Sequence, residues 1–121
     1  MPKSNANLQA GATAMRALET HAQLHTGAPG AAGTSNVSSA SRVAVTWSSV
    51  SGSGNYELAA PLAFTGGTPN GACTHISFWN QSSGGAFQGS YVLDGDATFN
   101  AAGEYTVNPG TIAGSSTDAN A

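Results

Sequence analysis

The stretch Ala72-Cys73-Thr74-His75-Ile76-Ser77-Phe78-Trp79 decides the fold, because it is the clearest strand pattern in the chain. Successive side chains of a β-strand point to opposite faces of its sheet. The alternation therefore predicts one face made of Ala72, Thr74, Ile76 and Phe78, and a second face made of Cys73, His75, Ser77 and Trp79.

Further short strands lie on both sides of this stretch. The same period of two is predicted over residues 42–47, 56–65 and 86–93, and a last hairpin joins residues 97–100 to 104–107. Turn residues recur at intervals of about 8–12 residues, which is typical of sandwiches and small barrels. The fold class is therefore mainly β, a small antiparallel sandwich or barrel. Its predicted core consists of large apolar side chains: Trp47, Ile76, Phe78, Phe87 and Phe99.

The chain divides into three parts. Residues 1–20 form an N-terminal helical segment, in which Leu8, Ala12, Met15 and Leu18 recur at helical spacing. Residues 21–107 form the β-rich domain. Residues 108–121 are Gly, Ser, Thr and Asn with little to bury, and they are predicted to form an extended C-terminal arm that is ordered against a neighbouring subunit.

The composition excludes several classes of partner. Only 7% of the 121 residues are charged and the net charge is −3, so no basic surface is present to hold nucleic acid or an anionic membrane. No apolar run reaches the roughly 20 residues of a membrane-spanning helix. The first residues lack an apolar segment, so we expect no signal peptide and synthesis in a cytoplasm.

Metal and catalytic sites have little support in the sequence. His21 and His25 would lie about 13 Å apart on a strand, which is too far for one ion. Asp94-Gly95-Asp96 lacks the distal Glu of a calcium loop and is predicted to be a plain turn. No Gly-x-Ser-x-Gly nucleophile motif is present, so the chain is not expected to be an enzyme or to bind a cofactor.

The aromatic residues leave two interpretations open. Trp79 and Trp47 are either core or interface anchors, or a platform on which sugars stack. A core poor in large side chains favours extra burial in a homo-oligomer, which we expect to be a trimer. The predicted interface residues are Trp79, Tyr91, Tyr56, Leu8 and Met15.

Several segments resemble a known protein family. The resemblance rests on Leu24–Gly33, Arg42–Trp47, Thr74–Trp79, Ser83–Phe87 and Thr98–Val107 in this order and spacing, and it covers most of residues 5–107. These segments are similar to short virion proteins of tailed bacteriophages, many of them from actinobacterial phages, that are often labelled phage tail fibre proteins.

The resemblance implies a non-enzymatic structural role on the virion. Because a lone chain of 121 residues is short for a whole fibre, the main prediction is a capsid decoration protein bound to the major capsid protein. The alternatives are a tail-fibre or minor tail module that binds tail proteins, or a host-glycan-binding module that uses Trp79 and polar loops.

Overall fold

The computed structural model describes residues 4–52, 54–93, 98–108 and 113–115. Within them lie one helix and eight strands, all of whose pairings are antiparallel. In chain order the elements are α1 (Asn5–Leu18), β1 (His21–His25), β2 (Val43–Ala44), β3 (Asn55–Glu57), β4 (Leu62–Phe64), β5 (His75–Trp79), β6 (Phe87–Val92), β7 (Tyr105–Val107) and β8 (Ala113–Ser115).

Helix α1 confirms the predicted N-terminal helix. Ser4 caps its start, since the Ser4 hydroxyl oxygen accepts a hydrogen bond from the Asn7 N–H at 3.2 Å. Only Leu8 and Ala12 of its side chains are buried, which matches the narrow apolar stripe of the sequence. The helix therefore lies at the periphery of the β domain.

The central sheet has the strand order β2-β1-β5-β6, so the stretch that decides the fold lies inside it. Phe78 of β5 is in register with Ala22 of β1 and with Gly89 of β6. The register between β5 and β6 shifts at the next residue, because Trp79 pairs with Phe87 and leaves Gln88 as a bulge.

Two smaller sheets complete the described fold. Strand β4 pairs with β7, so the predicted hairpin between residues 97–100 and 104–107 is wrong. In the intervening turn the Asn100 side-chain oxygen accepts hydrogen bonds from the Ala102 and Glu104 N–H groups. The turn is closed by the Asn100 N–H, which donates to the Glu104 carbonyl oxygen at 3.0 Å, but beyond it Thr98 bridges Ala72 and β7 pairs with β4.

Part of the predicted C-terminal arm belongs to the fold. Strand β8 pairs with β3 through Tyr56 and its neighbours, so Ala113–Ser115 is ordered against its own chain. The remainder of the predicted arm, residues 109–112 and 116–121, and the predicted turn at residues 94–96 lie outside the described residues.

One apolar cluster forms the core beneath the central sheet. It confirms the predicted burial of Ile76, Phe78 and Phe99, whereas Trp47 and Phe87 are half-buried. Cys73 also lies in this cluster, which corrects its assignment to the opposite face. The cause is that β5 begins only at His75, so the alternation does not extend back to residue 73.

Candidate functional site

The second face of β5 carries a buried chain of hydrogen bonds. His25 and Ser77 are both fully buried, and the His25 Nε2 atom lies 2.7 Å from the Ser77 hydroxyl oxygen. The Trp79 indole N–H donates to that same oxygen at 2.8 Å, and the His25 Nδ1 atom lies 2.9 Å from the Ser35 carbonyl oxygen. Loop and sheet are therefore joined through one imidazole ring.

The partners fix the tautomer of His25. A carbonyl oxygen only accepts, so the proton sits on Nδ1 and is donated to Ser35. Nε2 then accepts the hydroxyl proton of Ser77, whose oxygen accepts from Trp79. Burial has the largest effect on the pKa of His25 and lowers it. The hydrogen bond to Ser35 raises this pKa, whereas the nearby His75 and Arg42 lower it further. The net decrease favours the neutral ring.

Ser77 and His25 are the residue types of a catalytic nucleophile and its general base, but their surroundings favour a structural role. Neither side chain is accessible to solvent, so no substrate reaches the Ser77 oxygen in this conformation. The Ser77 proton is already committed to His25, and the loop that carries Ser35 covers the ring. Gly33 of that loop packs so closely on Phe87 that a Cβ there would lie 2.3 Å from the ring.

Trp79 is enclosed by this network rather than presented at the surface. It is 6% exposed, the Arg42 guanidinium carbon lies 4.2 Å from its ring centroid, and the Phe87 ring centroid lies 5.5 Å away. Arg42 also donates to the carbonyl oxygens of Gln81 and Gly84, which holds the turn after β5 against the tryptophan. With so little of its ring exposed, Trp79 is better suited to an anchor within the chain than to a platform on which a sugar stacks.

A second polar cluster joins the end of helix α1 to the sheets. The Tyr56 hydroxyl donates to the Glu19 carboxylate at 2.5 Å, and the Trp47 indole N–H donates to the Glu19 carbonyl oxygen at 2.8 Å. Burial raises the pKa of Glu19, and the hydrogen bond from Tyr56 opposes this increase. The Trp47 and Tyr56 rings meet edge to face at 5.2 Å.

An open polar groove runs along β7 and the turn before it. Its volume is about 540 Å³, and a second cavity of about 200 Å³ shares four of its residues: Asn100, Glu104, Tyr105 and Thr106. Glu104 is the one acidic or basic residue among the described residues that line both cavities. Sequence reasoning missed this groove, because β7 was assigned to a different partner strand.

A model of the family described as Podophage GP4 fiber I protein gp80 matches residues 5–115, which include the helix and all eight described strands. The chain belongs to this family of phage fibre proteins. The match confirms the predicted resemblance to virion proteins of the tail-fibre type, and it implies a location on the virion. Neither a search of curated proteins nor a search of solved structures gave a match.

The structure places the five predicted interface residues of this fibre protein at different depths. Trp79, Tyr56 and Leu8 are buried within the chain itself, with exposed fractions of 6%, 3% and 9%. Tyr91 and Met15 are half-buried, and the Tyr91 ring packs on Phe78 at 5.8 Å. The assignment of these residues to an interface stays a prediction, in which Tyr91 and Met15 are the more accessible members.

Among the described residues of the fibre protein, no three His, Cys, Asp or Glu side chains come together as a metal site would require. The helix that is described, α1, lacks the length and apolar character needed to cross a membrane.

Proposed function

We propose that this chain is a non-enzymatic structural subunit of a phage tail fibre. The observation that carries the proposal is the family match, because it spans residues 5–115 and thus the whole described fold. The family description favours a fibre over the capsid decoration role that the length of the chain suggested. The partners under this proposal are further copies of the chain and other tail proteins, with no nucleic acid and no membrane.

The packing of the chain supports a structural role. The Ser77–His25 pair, which has the residue types of a hydrolase dyad, is fully buried and hydrogen-bonded at both ring nitrogens. A surface with few charges also suits protein assembly, since few ionic groups lose water when an interface forms.

The copy number in purified particles tests the proposal. Quantitative mass spectrometry would compare peptides of this chain with peptides of the major capsid protein in the same digest. A tail-fibre subunit is expected at a small fraction of the capsid protein. A ratio near one copy per capsid subunit, or per capsomer, would identify a decoration protein and overturn the fibre assignment.

A second candidate function is recognition of a neutral glycan, and the polar groove along β7 favours it. Asn and Thr side chains there offer hydrogen-bond donors and acceptors, and the Tyr105 ring provides an apolar wall. Titration of the labelled protein with a neutral oligosaccharide from the host surface should shift amide signals at residues 98–108. Loss of these shifts in Asn108→Ala but not in Ser83→Ala would support the groove, and absence of shifts in the native protein would contradict it.

A further inference from the structure

A second open groove lies between helix α1 and the segment 45–47. Its volume is about 400 Å³, which is in the range of small-molecule sites. Among the described residues it shares none with the polar groove along β7. Both elements line it, through Thr13, Arg16, Ala17, Val45, Thr46 and Trp47. The groove thus brings one cationic group together with one indole ring.

The two tryptophans of the chain each lie near an arginine, but the two arginines differ in how many partners they have. Arg42 lies over the buried Trp79 and donates to three acceptors. Arg16 lines the groove with Trp47, and within the described residues it makes one hydrogen bond, from Nη1 to the Ser48 carbonyl oxygen. Because a guanidinium group has five N–H donors, Arg16 keeps donors for a further acceptor.

The indole ring of Trp47 is fixed in position from inside the chain. Its N–H donates to the Glu19 carbonyl oxygen at 2.8 Å, and the ring centroids of Tyr56 and Phe78 lie 5.2 and 5.3 Å away. The ring is half-buried, and its remaining surface lines the groove. A rigid aromatic ring offers apolar contact area to a ligand at a low cost in conformational entropy.

The backbone of the groove wall is already paired, so a ligand would be recognised by side chains. The Val45 N–H donates to the Thr20 carbonyl oxygen, and the Thr46 carbonyl oxygen accepts from the Ala59 N–H, both at 2.9 Å. An extended peptide that adds a strand would find these groups in use. The Thr13 hydroxyl donates within its helix and keeps lone pairs for an incoming hydroxyl group.

The charge of the groove favours an anionic ligand. Among its described lining residues Arg16 is the one acidic or basic residue. Glu19, at the end of the same helix, is buried and accepts from the Tyr56 hydroxyl. A carboxylate on the ligand would supply a counter-charge, in the bidentate geometry that a guanidinium group favours.

We propose that this groove binds a sugar that carries a carboxylate, of the hexuronic acid class. The indole ring of Trp47 packs on the sugar ring, Arg16 donates to the carboxylate, and Thr13 with Thr46 bonds the sugar hydroxyls. The site differs in place and in ligand charge from the neutral-glycan candidate along β7. It does not depend on where the chain lies in the virion.

Titrations of the isotope-labelled full chain with three probes test the proposal. Methyl glucuronide carries ring and carboxylate, methyl glucoside carries the ring alone, and acetate carries the carboxylate alone. The indole N–H signal of Trp47 should shift with the glucuronide, whereas that of the enclosed Trp79 should not. The glucoside should bind at least about tenfold more weakly, because it lacks the charged hydrogen bond. Acetate should leave the Trp47 signal in place.

Variants of Arg16 test the charge. Arg16→Gln should weaken binding of the glucuronide at least about tenfold and change binding of the glucoside little. Arg16→Lys keeps the charge but not the planar fork, so it should weaken binding less. Ser83→Glu, in the exposed turn after β5, changes the net charge by the same amount as Arg16→Gln and should bind like the native chain.

Four results would overturn the proposal. They are an unshifted Trp47 signal in the native chain with the glucuronide, equal binding of the glucoside, an equal shift with acetate, and native affinity in a folded Arg16→Gln. If Arg16→Gln does not fold, the three probes on the native chain still decide. Failure of the proposal would leave the copy-number test of the fibre assignment unaffected.

Discussion

The two faces of β5 are buried to a similar degree but are stabilised by different interactions. On one face Ile76 and Phe78 pack into the apolar cluster, where aromatic neighbours surround Phe78. On the other face Ser77 and Trp79 belong to a hydrogen-bonded chain that ends at the carbonyl of Ser35. One strand thus separates a core of apolar contacts from a layer of directional polar bonds.

The two faces of β5 should differ in how they respond to substitution and to a change in pH. Apolar packing depends on the volume of the side chains that fill the core. The polar layer depends on each donor meeting its acceptor, so it is sensitive to a single lost hydroxyl group or a single added proton. The variants below separate these two kinds of sensitivity, from the largest expected effect to the smallest.

Phe78→Ala is expected to have the largest effect. Removal of a fully buried aromatic ring leaves a cavity and should lower the free energy of unfolding by about 3–5 kcal/mol. Denaturant titration would measure this change. Val92→Ala removes an apolar side chain that is 67% exposed, and it should change stability by less than about 0.5 kcal/mol. Equal effects of the two variants would show that the core has been assigned to the wrong face.

Ser77→Ala tests the polar layer without removing much volume. It leaves the Trp79 N–H without its acceptor and the His25 Nε2 atom without its donor, at a cost of about 1–3 kcal/mol for each buried group. Ser90→Ala is a matched control, since Ser90 is in register with Ser77 but is exposed. If Ser77→Ala destabilises no more than Ser90→Ala, the hydrogen-bonded chain contributes nothing to stability.

Acidification should act through His25. Because the folded pKa lies below the ordinary value of 6.5, the unfolded state binds more protons as the pH falls below 6.5. The free energy of unfolding should therefore decrease from that pH downwards until the folded pKa is reached. Unfolding midpoints measured at a series of pH values would show the slope, and His25→Gln should remove it.

Glu19 also changes the pH dependence of the free energy of unfolding, in the direction opposite to His25. Its folded pKa lies above 4.5, so the folded state binds more protons there and Glu19 favours folding as the medium becomes more acidic. In a Glu19→Gln background the acid-induced loss of stability should become steeper at the low end of the range. A stability profile that is flat below 6.5 in this background would show that His25 is not held neutral by the fold.

Arg42→Lys is expected to have the smallest effect of the set. Lysine keeps the charge over Trp79 but loses the planar group that also donates to Gln81 and Gly84. The expected loss is about 1 kcal/mol, and hydrogen exchange should become faster in the turn after β5. Arg16→Lys, which affects one bond to Ser48, should leave that turn unchanged. Unchanged exchange in Arg42→Lys would mean that Arg42 does not hold the turn.

Local periodicity located helix α1 and the central strand β5, but it merged β3 and β4 into one extended stretch and did not give the strand partners. The alternation around Ile76 and Phe78 placed both in the core, and the helical spacing around Leu8 located α1. The pairing of β7 with β4 joins residues about 40 positions apart, and no local pattern encodes that choice. The predicted hairpin failed because Thr98 bridges Ala72 and β7 pairs with β4, so the two predicted arms take different partners.

The candidate site was the least predictable part for the same reason. Tryptophan is a residue type that often anchors an exposed interface. Trp79 is instead covered by Arg42 and by Phe87, and Phe87 packs on Gly33 in a loop more than 40 residues earlier in the chain. The bond between His25 and Ser77 joins two residues 52 positions apart. A polar residue between two large apolar ones, as in Ile76-Ser77-Phe78, was the only local signal of a buried polar layer.

The assignment to a fibre rather than to the capsid surface is tested most directly by imaging this chain on the particle. Antibody fragments raised against the folded chain and coupled to gold would be applied to intact phage and viewed by electron microscopy. The family membership predicts gold on the fibres of the tail, with bare capsid faces. Gold distributed over the capsid faces, with an unlabelled tail, would contradict it.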